Sequence, residues 1–125
     1  RRQKGQNTTF YVCCGPNYPN TFTWSQPYES EMLGWLNVTF DYDGMLRWAY
    51  NSWPENPHID SRFGTWKSGD TFLVYPGARS SVRFERLRDG IEIAEKILIR
   101  GLLIYTLILS LIAKTGKKDI KQKLK

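Results

Sequence analysis

One run of residues constrains this chain more than any other: Gly44-Met45-Leu46-Arg47-Trp48-Ala49-Tyr50-Asn51-Ser52-Trp53-Pro54. Asp41, Tyr42, Asp43 and Gly44 supply a turn before it, and Pro54 ends it, having no N–H to give to a ladder. Met45, Leu46, Trp48, Ala49 and Tyr50 make the run almost continuously apolar, the pattern of a strand covered on both faces. Arg47 interrupts it. A buried arginine requires an acidic or carbonyl partner, so the sequence predicts a specific polar contact there. Trp48, Tyr50, Asn51 and Trp53 gather toward the end of the strand. Aromatic rings at such a place suit the C–H faces of a flat, hydroxyl-rich ligand, and amides meet its hydroxyls.

The neighbouring segments extend this pattern. Residues 8–14 are β-branched, aromatic and then apolar, and they stop at Gly15-Pro16, as a short buried strand does. The following loop carries Tyr18, Phe22 and Trp24, which either plug the end of the domain or face a ligand. Residues 29–40 read as a helix beginning near Ser25 or Pro27, with Met32, Leu33, Leu36 and Phe40 on one apolar stripe. Strand, helix, strand implies a parallel crossover. A long polar loop, 55–69, contains His58, a lone histidine that reads first as a surface residue.

Residues 71–75 predict a third strand, stopped by Pro76-Gly77. In a parallel sheet Tyr75 would share a rim with Asn51 and Trp53, and Asp70 would lie at the opposite end. Ser80 or Ser81 then caps a helix with Phe84, Leu87 and Ile91 inward, and with Arg83, Arg86 and Arg88 among acids on a solvated face. Arg79 stands just after the third strand, suited either to orienting an anion or to a salt bridge within the domain.

The net charge of +6 does not imply a nucleic-acid partner. Arg1, Arg2 and Lys4 at one end and the lysines from Lys114 onward at the other carry more than the whole excess, leaving the body slightly acidic. Cys13 and Cys14 are the only cysteines and His58 the only histidine, so no disulfide framework, metal site or cofactor is expected, and both thiols are expected to be buried. Residues 97–113 form an apolar continuation of the last helix, and 114–125 a disordered basic tail. The apolar run falls short of the roughly 20 residues a membrane span needs, so a membrane is not the expected partner; a buried helix, a weak anchor and a disrupted gene end are the three readings. No apolar signal region opens the sequence, and export of the complete protein would rest on residues upstream. Compartment is otherwise open.

Several ordered blocks resemble a known family. Tyr11-Val12-Cys13-Cys14-Gly15-Pro16, the run from Leu46 to Trp53, the block Gly69-Asp70-Thr71-Phe72-Leu73-Val74-Tyr75-Pro76-Gly77 and the stretch from Ser80 to Ile91 are similar to the C-terminal part of the catalytic domain of glycoside hydrolase family 123, also called DUF4091. The resemblance covers residues 1–96. It implies an α/β fold in which three strand–helix units form the C-terminal portion of an incomplete (β/α)8 barrel, ending in a long helix. A whole barrel takes about 250 residues, so the missing N-terminal part of the barrel, or another chain, is the expected protein partner.

The resemblance further implies an exo-acting β-N-acetylgalactosaminidase, acting on N-acetylhexosamine-containing glycan. The sugar's own acetamido oxygen attacks the anomeric carbon with retention, helped by an aspartate and an adjacent glutamate acid/base. No adjacent Asp-Glu pair occurs here, so no catalytic residue is assigned. What remains is a set of pocket walls: Trp48, Tyr50, Asn51, Trp53 and Tyr75, with Arg47 and Arg79 orienting them. The alternatives are a non-catalytic carbohydrate-binding remnant and a purely structural barrel segment whose aromatics only pack.

Overall fold

The computed structural model describes residues 2–123, with side chains for 3–112. Its main elements are β1 (Thr9–Val12), α1 (Pro27–Thr39), β2 (Gly44–Arg47) and α2 (Val82–Lys123). The chain divides into two units, 1–94 and 95–125.

In the first unit β1 and β2 pair in parallel, with Phe10 opposite Met45, Tyr11 opposite Leu46 and Val12 opposite Arg47. The helical crossover between them is the one the sequence predicts. Paired residues of a parallel sheet point to the same face, so the register sorts the side chains. Val12, Leu33, Leu73 and Leu87 form the buried core, with Phe10, Leu36, Met45 and Phe84 packed around it. The opposite face carries Tyr11, Leu46 and Trp48, each about half exposed. Residues 45–50 therefore alternate instead of being covered on both faces, because both helices supply their apolar residues to one side only.

Local chemistry fixes the helix starts. Pro27 opens α1 after Gln26, whose backbone N–H donates to the Glu29 carboxylate at 2.8 Å. Glu29 also accepts from Asn20 N–H at 3.1 Å, tying the preceding loop to the helix. Ser81 caps α2 as expected: its Oγ accepts from Phe84 N–H at 3.2 Å and donates to the Leu73 carbonyl at 2.5 Å. The helices meet at two glycines. A Cβ on Gly90 would stand 2.0 Å from the Glu31 carbonyl oxygen, and one on Gly34 would stand 2.3 Å from the Gly90 carbonyl carbon. Nothing in the spacing of apolar residues foretells that crossing.

Five expectations are corrected here. Residues 71–75 are not a third strand. Gly69 and Gly77 turn the chain at either side with φ of 76° and 75°, and Asn51 and Phe72 form a single antiparallel bridge. Asp70 consequently does not lie at the far end from the aromatic run. Among the described residues there are two strands, so the three-unit barrel segment is not what they form by themselves. Arg83 does not lie on the solvated face: it is buried, and Nη1 donates to the carbonyls of Thr21 and Gly69 at 2.7 Å each. Finally, only Cys13 is buried; Cys14 is exposed, and their free thiols lie 3.2 Å apart. On the outer side of α2, Arg86–Asp89 and Arg88–Glu85 pair one turn apart as the sequence predicts.

The second unit is helical and is treated below. Of residues 114–125, expected as a disordered tail, the backbone of 114–123 continues α2, and 124 and 125 lie outside the described residues. No helix among the described residues is long and apolar enough to cross a membrane.

Candidate functional site

Arg47 is the centre around which the end of β2 is built. Its side chain is 4% exposed and that of Asp70 is 0% exposed, and the two form an ion pair at 3.0 Å. Nη2 also donates to the Asp70 carbonyl at 3.1 Å, and Nη1 donates to Asn20 Oδ1 at 3.1 Å and the Val12 carbonyl at 3.4 Å. The acidic-or-carbonyl partner inferred from sequence is thus both at once. Burial disfavours each charge: it pushes the guanidinium down to about 10 and raises the Asp70 carboxyl, against the opposing pull of Arg47. Asp70 Oδ2 and Arg47 Nε have no hydrogen-bond partner among the described residues, so the pair is incompletely satisfied.

This pair fastens two segments together. Ala49 N–H donates to the Asp70 carbonyl at 3.3 Å, Ser52 N–H to Thr71 at 3.0 Å, and Leu73 N–H to Tyr50 at 2.8 Å. The polar loop is tied in as well: Asp70 N–H donates to the Lys67 carbonyl and Thr23 N–H to that of Ser68, at 2.9 and 3.0 Å. Lys67 Nζ reaches the Cys14 carbonyl at 3.0 Å and also Asn17 Oδ1. The Trp48 and Trp66 rings are then brought to 6.4 Å between centroids, and both are partly open to solvent.

The other predicted wall residues do not join that indole pair. Tyr50 is exposed but meets Phe84 edge-on at 5.8 Å, on the α2 side. Asn51 is exposed and holds the bridge to Phe72. Trp53 uses its Nε1–H on the Val74 carbonyl at 2.7 Å, a packing contact. Tyr75 stacks on His58 at 4.9 Å and lines an open cleft of about 420 Å³ with Thr23, Ser80, Ser81 and Arg83. Arg79 is exposed; its carbonyl accepts from Tyr75 N–H at 2.8 Å, and its side chain makes no ion pair among the described residues. Of the loop aromatics, Phe22 is wholly buried and stacks on the exposed Trp24 at 4.6 Å, so one plugs and the other faces outward.

Trp66 and Asp70 are the residues that the sequence reading did not single out for the site. Trp66 sits in a loop without periodicity. Asp70 is separated from Arg47 by 23 positions, and only its place beside the apolar block hinted at burial.

A parallel strand pair under two helices, with exposed indoles above a buried ion pair, is met by a glycosidase scaffold: residues 1–100 match the model of a glycoside hydrolase catalytic domain. That domain is the one of family 123, and the chain belongs to this family. A solved family 123 glycoside hydrolase from Clostridium perfringens, studied for glycolipid glycan hydrolysis, is similar at 36% identity with a TM-score of 0.67. The match covers 73% of this chain and 17% of that one, so the chain spans a small part of its relative's length. No curated protein matches the chain.

Proposed function

We propose that this chain is part of a β-N-acetylgalactosaminidase-like glycoside hydrolase and contributes a wall of its sugar pocket. The observation that carries the reading is the Trp48–Trp66 pair, held at the end of β2 by the buried Arg47–Asp70 clamp. Two indoles left partly open above so rigid a support suit the C–H faces of a pyranose ring. Family membership supports a carbohydrate substrate. The Clostridium perfringens relative was studied for glycolipid glycan hydrolysis, which supports a glycan substrate.

The chemistry follows from what such a substrate brings. The acetamido oxygen attacks the anomeric carbon and displaces the aglycone, forming a cyclic intermediate that water opens with net retention. An adjacent Asp-Glu pair polarises the acetamide and protonates the leaving oxygen; no such pair occurs in this sequence. In this reading those two residues come from the N-terminal part of the barrel, which packs on Tyr11 and Leu46 of the exposed sheet face and leaves Trp48 open at its end. Asn51, Tyr75 and Arg79 lie apart from the indole pair and are not assigned to this wall.

The test compares hydrolysis of a chromogenic β-N-acetylgalactosaminide by this chain alone and by the chain joined to the N-terminal part of a family 123 domain. Turnover only in the joined protein, falling at least tenfold with Trp48→Ala and with Trp66→Ala, is the expected result. Turnover by the chain alone would refute the assignment of the acid/base to the other part. Silence in both, with N-acetylgalactosamine still bound, would make it a binding remnant.

A further inference from the structure

Residues 95–112 present an unusual surface. The large apolar side chains from Ile97 to Ile112 are each between 46% and 63% exposed. At about 100° per residue, Leu98, Leu102 and Leu109 share one side of the helix, whereas Leu103 and Leu107 lie on the opposite one. A second copy or a protein groove covers one stripe of a helix and leaves the other side wet. Apolar residues on every side are matched by a medium that surrounds the helix, and that medium is lipid.

Two independent features agree. The two aliphatic hydroxyls of the run are already satisfied within the helix: Thr106 Oγ1 donates to the Leu103 carbonyl and Ser110 Oγ to that of Leu107, both at 2.8 Å. Neither hydroxyl needs water, so the usual penalty for taking them into hydrocarbon is removed. The sequence then supplies cations at both ends, Arg100 on one side and Lys114, Lys117, Lys118 and Lys121 on the other. Long basic side chains reach back to phosphate headgroups while their stems stay in the apolar layer.

We infer that this segment is an in-plane membrane anchor, embedded beneath the headgroups of an anionic leaflet without crossing the bilayer. Its length fits: residues 102–113 rise about 18 Å, too short for a hydrocarbon core of about 30 Å. The family match ends at residue 100, so the anchor is an addition to the catalytic domain rather than part of it. It does not depend on the sugar-pocket reading.

The test is flotation of the whole chain with vesicles, either phosphatidylcholine alone or phosphatidylcholine with phosphatidylglycerol. The chain should float with the anionic vesicles, more weakly with the neutral ones, and lose several-fold in binding as salt is raised. Leu102→Gln and Leu107→Gln, on opposite sides, should each lower the partition coefficient about tenfold. Both variants should leave tryptophan fluorescence of the first unit unchanged. A chain that stays at the bottom of the gradient with both vesicles overturns the proposal. So does a discrete dimer in sedimentation that is broken by only one of the two substitutions, because that marks a one-sided protein contact.

Discussion

The crossing of α1 and α2 offers a sharp test, because two familiar rules predict opposite signs for one substitution. Alanine is a better helix former than glycine by about 0.8–1 kcal/mol, so Gly90→Ala in isolation should stabilise α2. In the folded chain the new Cβ would stand 2.0 Å from the Glu31 carbonyl oxygen and 2.9 Å from its Cα. An ordinary contact lies near 3.5 Å, so the helices must part by more than about 1 Å. The obstacle is backbone, with no rotamer to yield. Parting the helices also loosens Leu33 against Leu87, both buried at this contact level of the core. Overpacking of this kind costs about 1–3 kcal/mol or more, and we take the upper end because the clash is with main chain. After the propensity gain is subtracted, Gly90→Ala should destabilise the first unit by about 2 kcal/mol. Urea unfolding followed by tryptophan fluorescence reads it directly, since all five tryptophans lie before residue 94. With a slope of about 2 kcal/mol per molar, the midpoint should fall by about 1 M. Gly101→Ala is the control: nothing among the described residues lies within 4 Å of its Cβ, and only the propensity gain should appear, as added helicity. A Gly90→Ala midpoint equal to or above the parent's would refute the close crossing.

Two further outcomes follow from charges. Asp70→Ala removes the hydrogen-bond acceptor of a buried guanidinium and should cost about 3–5 kcal/mol, measured by the same unfolding, whereas Asp60→Ala on the exposed loop should be nearly neutral. Burial raises the Asp70 carboxyl, so its ionisation stabilises nothing: the contribution it makes is full in acid and is lost as pH rises through its folded value. Asp60 has the reverse sign. Hydrogen bonds from Arg62 hold it at about 2, so its contribution is present above the ordinary carboxylate range and lost as pH falls through about 2. Carbon-detected NMR titration of Arg62→Ala should return Asp60 toward the usual value of 3.8.

Much of the first unit could be read from local pattern. Gly15-Pro16 follows the end of β1, Leu33 and Leu36 of the expected α1 stripe reach the core while Phe40 stays exposed, and Ser81 announces α2 by capping chemistry; β2, expected to run to Pro54, ends at Arg47. The demand of a buried Arg47 for a partner was also legible, although which acid would meet it was not. Asp70 and Arg47 are joined by tertiary folding, and no spacing rule links them. Residues 71–75 have the composition of a strand, yet their carbonyls and N–H groups are claimed by Tyr50, Ser52 and Arg79 in crossing directions. Arg83 looked like its neighbours Arg86 and Arg88, and differs only in which side of α2 faces the carbonyls of Thr21 and Gly69. Residue type and proximity in sequence point to the wall residues, but Trp53 and Trp48, close in the chain, spend their rings on different neighbours.

The lateness of α2 has a consequence for synthesis. Three of the ties that close the first unit come from its opening turns: Ser81 on the Leu73 carbonyl, Arg83 on Thr21 and Gly69, and Leu87 in the core. A ribosome emits these residues after everything they bind. The nascent chain must therefore carry Val12, Leu33 and Leu73 uncovered until residues 82–94 have left the exit tunnel, and any pause before that point lengthens the interval in which chaperones must shield it.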